Sequence, residues 1–175
     1  MRKITSYEIA LSAVACAIAT IMLTVGTLYT PLLFTGYLFA CAAIMLPLSG
    51  KYYAGAALAY VGASVLTLIF NGVNIFDTLP FIMFFGLHPI VNALQLRFKI
   101  NRWIALPIKA AWFDGAMYFV WRFVFEMTTT IAFVDKYIWL IILIAGTAFF
   151  VAYDFAMFRC QGYVNATVDR FIKRR

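Results

Sequence analysis

Apolar positions along the chain fall into long blocks instead of the strict alternation of a half-buried strand or the stripe of a helix packed on one side only. Six blocks of about 20 residues, the length that carries a helix across a ~30 Å hydrocarbon layer, are separated by short polar turns. They run over 7–28, 31–48, 52–70, 78–96, 103–127 and 137–158, with 159–175 left as a basic tail. The turns are marked by Tyr29-Thr-Pro31, Ser49-Gly-Lys51, Asn71-Gly-Val-Asn74, the stretch Arg97 to Arg102, and the stretch Thr128 to Lys136. This pattern predicts an all-α integral membrane protein, a compact six-helix bundle in a single transmembrane domain over 1–175. No linker, low-complexity tract or internal repeat divides it.

Composition agrees, with 65% of the 175 residues hydrophobic and 12% charged. A soluble domain has roughly 45–50% and about 25%. A chain of this length holds the spans and little else, so no separate soluble nucleotide-binding domain is expected. The surplus of 14 Lys+Arg over 7 Asp+Glu belongs to one side of a membrane and not to nucleic acid, because no basic stripe with interleaved aromatics stands outside the spans. With the N-terminus in the cytoplasm, Arg2, Lys3, Lys51, Arg97, Lys99, Arg102, Arg159, Arg170, Lys173, Arg174 and Arg175 share that side, and Lys136 alone faces out. Both termini are therefore expected inside. The tail ending DRFIKRR reads either as a plain topology signal or as an amphipathic basic helix at the membrane surface. The start, Met1-Arg-Lys and an apolar run through Ala13-Val-Ala-Cys16, has Ala13 where a lipoprotein box prefers Leu, and the run continues to Leu23. A retained first span is expected.

Helix one carries small residues at Ala10, Ala13 and Ala17, and a second strip at Ala15 and Ala19; helix three repeats the spacing at Gly55, Ala59 and Ala63. Such strips let helix backbones approach closely in lipid, either within the bundle or against another membrane subunit. Helix five carries Asp114, Tyr118, Arg122 and Glu126 at intervals of four, a polar stripe expected to face the bundle interior. One reading is an internal ladder of ion pairs, Arg122 with Glu126 or Asp114, stapling helix five to its neighbours. The other is a polar pocket in its external half, with Arg122 holding a carboxylate or another planar acceptor. Lys109 is expected to snorkel toward the cytoplasm. Asp154 could neutralise Arg159 or Lys109. His88-Pro89 near mid-membrane implies a kink whose freed carbonyls need partners, and His88 itself is either a satisfied core histidine or a donor to a ligand.

Catalytic patterns are absent. One histidine, no nucleophile elbow and no HExxH leave most hydrolytic and metal-dependent mechanisms without parts, so neither enzyme activity, nor a metal, nor a cofactor is expected. Ser49-Gly-Lys51 is no phosphate loop, since Met45 stands where the first glycine belongs and Tyr52 where the Ser/Thr belongs. Cys16, Cys41 and Cys160 form no CxxC pair and read as packing residues.

Size, six spans, internal termini and the AxxxA-like Ala13-Val-Ala-Cys-Ala17 resemble the membrane-embedded substrate-binding subunit, or S component, of energy-coupling factor (ECF) vitamin transporters. Leu79-Pro-Phe-Ile-Met-Phe-Phe-Gly-Leu-His-Pro89 and the stretch from Tyr153-Asp154 to Arg159 are similar to uncharacterised bacterial members of that superfamily. The resemblance implies a bacterial or archaeal cytoplasmic membrane and uptake of a small water-soluble vitamin or heterocyclic precursor. It further implies docking through Ala13 and Ala17, with Ala10, on a transmembrane coupling protein driven by two ATPase subunits. It places the substrate near the external surface between helices four to six, where Tyr118, Arg122 and Glu126 are the candidates on helix five. Asn71, Asn74 and Asp77 would close over the site, His88 would donate to the ligand, and Trp121, Tyr137 and Trp139 would supply flat walls. Two other readings compete: a scaffold similar to the cell-shape protein MreD, and an autonomous small carrier.

Overall fold

A computed structural model describes residues 6–72, 75–124 and 132–173. All regular structure among them is helical. The helices are α1 (Ser6–Leu28), α2 (Leu33–Ser49), α3 (Tyr53–Phe70), α4 (His88–Arg97), α5 (Arg102–Phe119), α6 (Ala132–Ile141) and α7 (Thr147–Lys173). Short 3-10 turns at Thr30–Leu32 and Ile75–Thr78 enter α2 and the fourth span. Three π-helical turns, at Phe81–Phe85, Val120–Val124 and Ile142–Gly146, precede α4, continue α5 and join α6 to α7. Five helical runs are long and apolar enough to cross a membrane, by length and composition: Ser6–Leu28, Thr30–Ser49, Tyr53–Phe70, Phe76–Arg97 and Lys136–Arg170. Helix α5 is not among them, since its 18 residues include Arg102, Lys109 and Asp114.

The short connections, three residues between α2 and α3 and four between α1 and α2 and between α4 and α5, force these neighbouring helices to run antiparallel. One end of the bundle therefore gathers the Ser49–Lys51 and Arg97–Arg102 turns and with them Lys51, Arg97, Lys99 and Arg102. We call this the basic end. The turns there are made without glycine in the left-handed position. Lys51 (φ 60°) and Lys99 (φ 54°) occupy it. Tyr52 N–H reaches Pro47 O (3.0 Å) and Lys51 N–H reaches Leu48 O (2.9 Å), while Ile100 and Lys99 repeat the pair on Gln95 O and Leu96 O. These two bonds per turn cap the last carbonyls of α2 and α4, at the cost of placing a Cβ where glycine is preferred.

Helix α1 packs mainly on α2 and α3. Its second alanine strip is internal, with Ala15 and Ala19 both at 0% exposure, whereas Ala10, Ala13 and Ala17 are exposed. At the α1–α2 crossing a Cβ on Gly36 would stand 2.7 Å from Met22 O and 3.3 Å from Gly26 Cα, so the backbones touch there. The helix-three strip faces α1 in turn: Ala59 and Ala63 are buried, and a Cβ on Gly62 would stand 2.9 Å from Cys16 Sγ. Helix α2 carries the other flank of the bundle, packing on α4 and α7.

The expected kink at His88-Pro89 is present, and its carbonyls have partners. Pro89 sits in the first turn of α4, where a missing N–H costs nothing. The carbonyl it leaves free, Phe85 O, accepts from Cys41 Sγ (2.9 Å), and Ile82 O accepts from Tyr60 Oη (2.8 Å). Phe81, Phe84 and Phe150, each at 0% exposure, form the aromatic centre beside Phe113 and Tyr153. The run from Lys136 to Arg170 covers 35 residues, about 52 Å against a hydrocarbon layer of ~30 Å. The tail thus prolongs the last span as expected. It does so without a break at which it could turn along a membrane surface.

Candidate functional site

Two polar arrangements lie inside the bundle. The first joins α4, α5 and α7 at the basic half. Asp154, fully buried, accepts from Lys109 Nζ (2.5 Å) and lies 3.1 Å from His88 Nε2, both on Oδ1, while Arg102 Nη2 stands 3.6 Å from Oδ2. Lys109 also donates to Asn92 Oδ1 (2.8 Å). Arg102 rests over Phe155 (3.8 Å to the ring centroid) and Phe158 (4.9 Å). The expectation that Lys109 snorkels outward is corrected: it is 3% exposed and turned inward, because a carboxylate and an amide oxygen await it there. His88 packs on the Tyr153 and Phe84 rings (4.8 and 5.2 Å between centroids), and its Nδ1 is buried without a hydrogen-bond partner. It lines none of the cavities described here.

The second arrangement belongs to the helix-five stripe. Asp114 is buried and accepts from Thr147 Oγ1 (2.7 Å), tying α5 to α7, and its other oxygen presses so near Gly146 that a Cβ there would stand 2.6 Å away. The partner that Asp114 meets across these helices is a hydroxyl and not an arginine. The interior course expected for the whole stripe is corrected. Tyr118 is 37% exposed and Arg122 is exposed, with no ion pair among the described residues. The reason is helical geometry: steps of four at 3.6 residues per turn advance about 40° each time, so two steps carry the stripe well round the helix. The π turn at Val120–Val124 then shifts the register again.

Of the other candidate residues, Trp121 is half-buried and Trp139 is 57% exposed. Asn71 is buried and donates to Thr27 Oγ1 (2.5 Å), binding the end of α3 to α1. Asp77 lends its backbone carbonyl to the Tyr37 hydroxyl. Asn74 and Glu126 lie outside the described residues. The structure does not bring these side chains together around one cavity.

A cavity does open in the half away from the basic end. A cleft of about 340 Å³ is lined by Leu33, Phe34 and Tyr37 of α2, Pro80 and Phe85 of the fourth span, Phe113 and Met117 of α5, and Phe149 of α7. Tyr37 stacks on Phe85 (5.2 Å, 20° between planes), and Phe34 meets Phe149 edge-on (5.6 Å). The π turns fall on three of the four spans that line this cleft, and such turns are frequent at functional sites. Pro80 and Phe85 stand in the Leu79–Pro89 motif quoted above, but none of these lining residues was expected from sequence to bind a ligand. Their only sequence signal is the recurrence of Phe at spacings that core packing uses equally. Chemically the cleft offers flat, apolar walls for a ring. Among the described residues no group of His, Cys, Asp and Glu is placed to hold a metal ion.

Comparison of the chain with protein families, with curated proteins and with solved structures finds no match. The fold and the site define an all-helical protein with several apolar helices suited to a membrane; reading beyond that class rests on physical argument.

Proposed function

We propose that this chain is a six-span membrane-embedded substrate-binding subunit of an ECF-type importer, with both termini in the cytoplasm. It would capture a small heterocyclic compound from outside and deliver it with a separate coupling protein and two ATPases. The observation that carries the reading is the aromatic cleft between α2 and the last three spans, at the end where few basic residues lie. The uncovered Ala10, Ala13 and Ala17 face is a second support: small residues exposed to lipid give a docking helix close approach. Phe34, Phe85 and Phe149 serve as stacking walls, and Tyr118 and Arg122 lie beyond Met117 toward the same end.

The test is affinity purification from native membranes with mass spectrometry of proteins and small molecules together, followed by titration of the captured compound. Co-purification of a transmembrane protein with paired ATPases and a bound heterocycle is the expected result, with affinity lost in Phe149→Ala and reduced in Arg122→Ala. Cell-wall or cytoskeletal partners without a ligand would make the chain a scaffold instead. An Arg122→Ala variant with unchanged affinity removes that residue from the site.

A further inference from the structure

A second cavity lies at the other end of the molecule, away from the aromatic cleft. It encloses about 640 Å³ between the Ser49–Lys51 turn, the start of α3, the last turn of α4 and the part of α7 that outruns the membrane-length span. Its polar lining is Ser49, Lys51, Tyr53, Arg97, Gln161 and Asn165; one helical turn toward the bundle centre stand the apolar Leu48 and Ala93. Arg97 is held across the gap by the Tyr53 ring, 4.9 Å from guanidinium to centroid. The Gln161 amide donates to Asn165 Oδ1 (2.7 Å), which fixes these two side chains along the opposite wall. No acidic residue lines the cavity.

From this we infer a binding site for a phosphate ester at the basic end, with Lys51 and Arg97 as the paired cations that hold it. The simpler account, that both residues only complement helix termini, leaves charge over. The ends of α2 and α4 each present about half a negative charge, and the start of α3 offsets part of it with about half a positive one, so two full cations outweigh them. A guanidinium and an ammonium lining one cavity, with a hydroxyl and amides in the same lining, make up the donor set that phosphate oxygens require. The cavity's apolar inner wall and its place among the helix-end turns where basic residues gather match an anionic phospholipid, whose glycerol and acyl stems would run along Leu48 and Ala93. A free phosphate ester has the same head chemistry. The inference does not depend on what occupies the aromatic cleft.

The experiment measures thermal stabilisation of the detergent-purified full chain by short-chain phosphatidylglycerol, short-chain phosphatidylcholine and inorganic phosphate. The expected result is saturable stabilisation by phosphatidylglycerol but not phosphatidylcholine, weakened on the order of tenfold or more in Lys51→Gln/Arg97→Gln. The same saturation by inorganic phosphate alone, lost in the same variant, supports the site and names a free phosphate compound as its source. A Lys99→Gln/Arg159→Gln variant removes equal charge from the same end without touching the lining and should respond like the parent. Equal weakening in this control, or an unchanged response in Lys51→Gln/Arg97→Gln, overturns the site. Should that double variant fail to fold, Ser49→Cys supplies the readout: phosphatidylglycerol should slow maleimide labelling of that peptide, and an unaltered rate overturns the proposal.

Discussion

Replacing Lys109 by methionine tests the buried cluster directly. The methionine keeps the length of the stem while removing the charge, leaving Asp154 at 0% exposure with His88 at 3.1 Å and Arg102 at 3.6 Å. Breaking a buried pair by deleting one partner costs about 3–5 kcal/mol in soluble proteins. Two features reduce that here. Arg102 stays close enough to compensate part of the charge, and polar groups in membranes find substitute partners in the unfolded state. We expect a loss of about 2–3 kcal/mol, which at roughly 2–4 °C per kcal/mol for a chain of this size lowers the midpoint of thermal unfolding by about 4–12 °C. Asp154→Asn should cost at least as much, because it strands the Lys109 ammonium. The double variant Lys109→Met/Asp154→Leu should cost less than the sum of the two single changes, since both charges leave together, while His88 Nε2 and Asn92 Oδ1 lose their partners. Arg102 tolerates this change because it is partly exposed and rests on Phe155 and Phe158. Tryptophan fluorescence of the detergent-solubilised chain, which has four tryptophans, reports the transition. If Lys109→Met unfolds within about 1 °C of the parent, the lysine is solvated as its sequence position suggests. If the losses in the double variant simply add, the two side chains are not coupled.

Other perturbations probe the remaining contacts. Gly36→Ala forces apart the α1–α2 crossing and should cost about 1–3 kcal/mol by the same assay, whereas Gly115→Ala, where a Cβ meets nothing within 4 Å, should be neutral or stabilising. Lys99→Gly relieves a left-handed residue at the end of α4 and should gain about 1 kcal/mol, provided the charge itself is not holding a partner. Gly146→Ala should destabilise and Thr147→Val should do so more mildly, by about 0.6–1.7 kcal/mol, because the first crowds Asp114 and the second leaves its carboxylate without a donor. In the folded chain a maleimide should modify Cys16 and Cys160 well before Cys41, whose thiol is fully buried on Phe85 O; fast labelling of Cys41 would contradict the packing of the fourth-span kink.

What the sequence made legible was whatever depends on local spacing. Blocks of apolar residues set the helices; Pro89 set the break; alanines four apart on α1 set two strips, one inside and one out. What it hid was whatever depends on azimuth accumulated over several turns or on a partner from another helix. Asp154 could be assigned to Lys109 or Arg159 from sequence, and only the packing of α5 on α7 selects Lys109. The stripe from Asp114 to Arg122 looked continuous because four is close to 3.6, yet the difference compounds, and the register change at Val120–Val124 has no local marker. The aromatic cleft was invisible for a different reason. Phe34, Phe85, Phe113 and Phe149 come from four spans, and each alone is indistinguishable from a core phenylalanine.

The division of labour between the two halves follows from these placements. Ion pairing and the Asn92 amide fasten α4, α5 and α7 to one another at the basic half, where a buried charge network tolerates little movement without exposing an unpaired group. The other half is held by ring contacts, by one hydroxyl on Asp114 and by π turns, whose hydrogen bonds can be exchanged for α-helical ones at small cost. Under the proposed function, a cleft that admits and releases a compound belongs in the half that can reshape, while the stapled half fixes the frame against which it moves. Weakening the staple should therefore loosen the whole bundle, and substituting the exposed Phe34 or Phe149 should change binding before it changes the unfolding midpoint. If Lys109→Met instead altered ligand affinity in the intact fold more than Phe149→Ala did, the compound would sit at the charged cluster, and the roles of the two halves would be reversed.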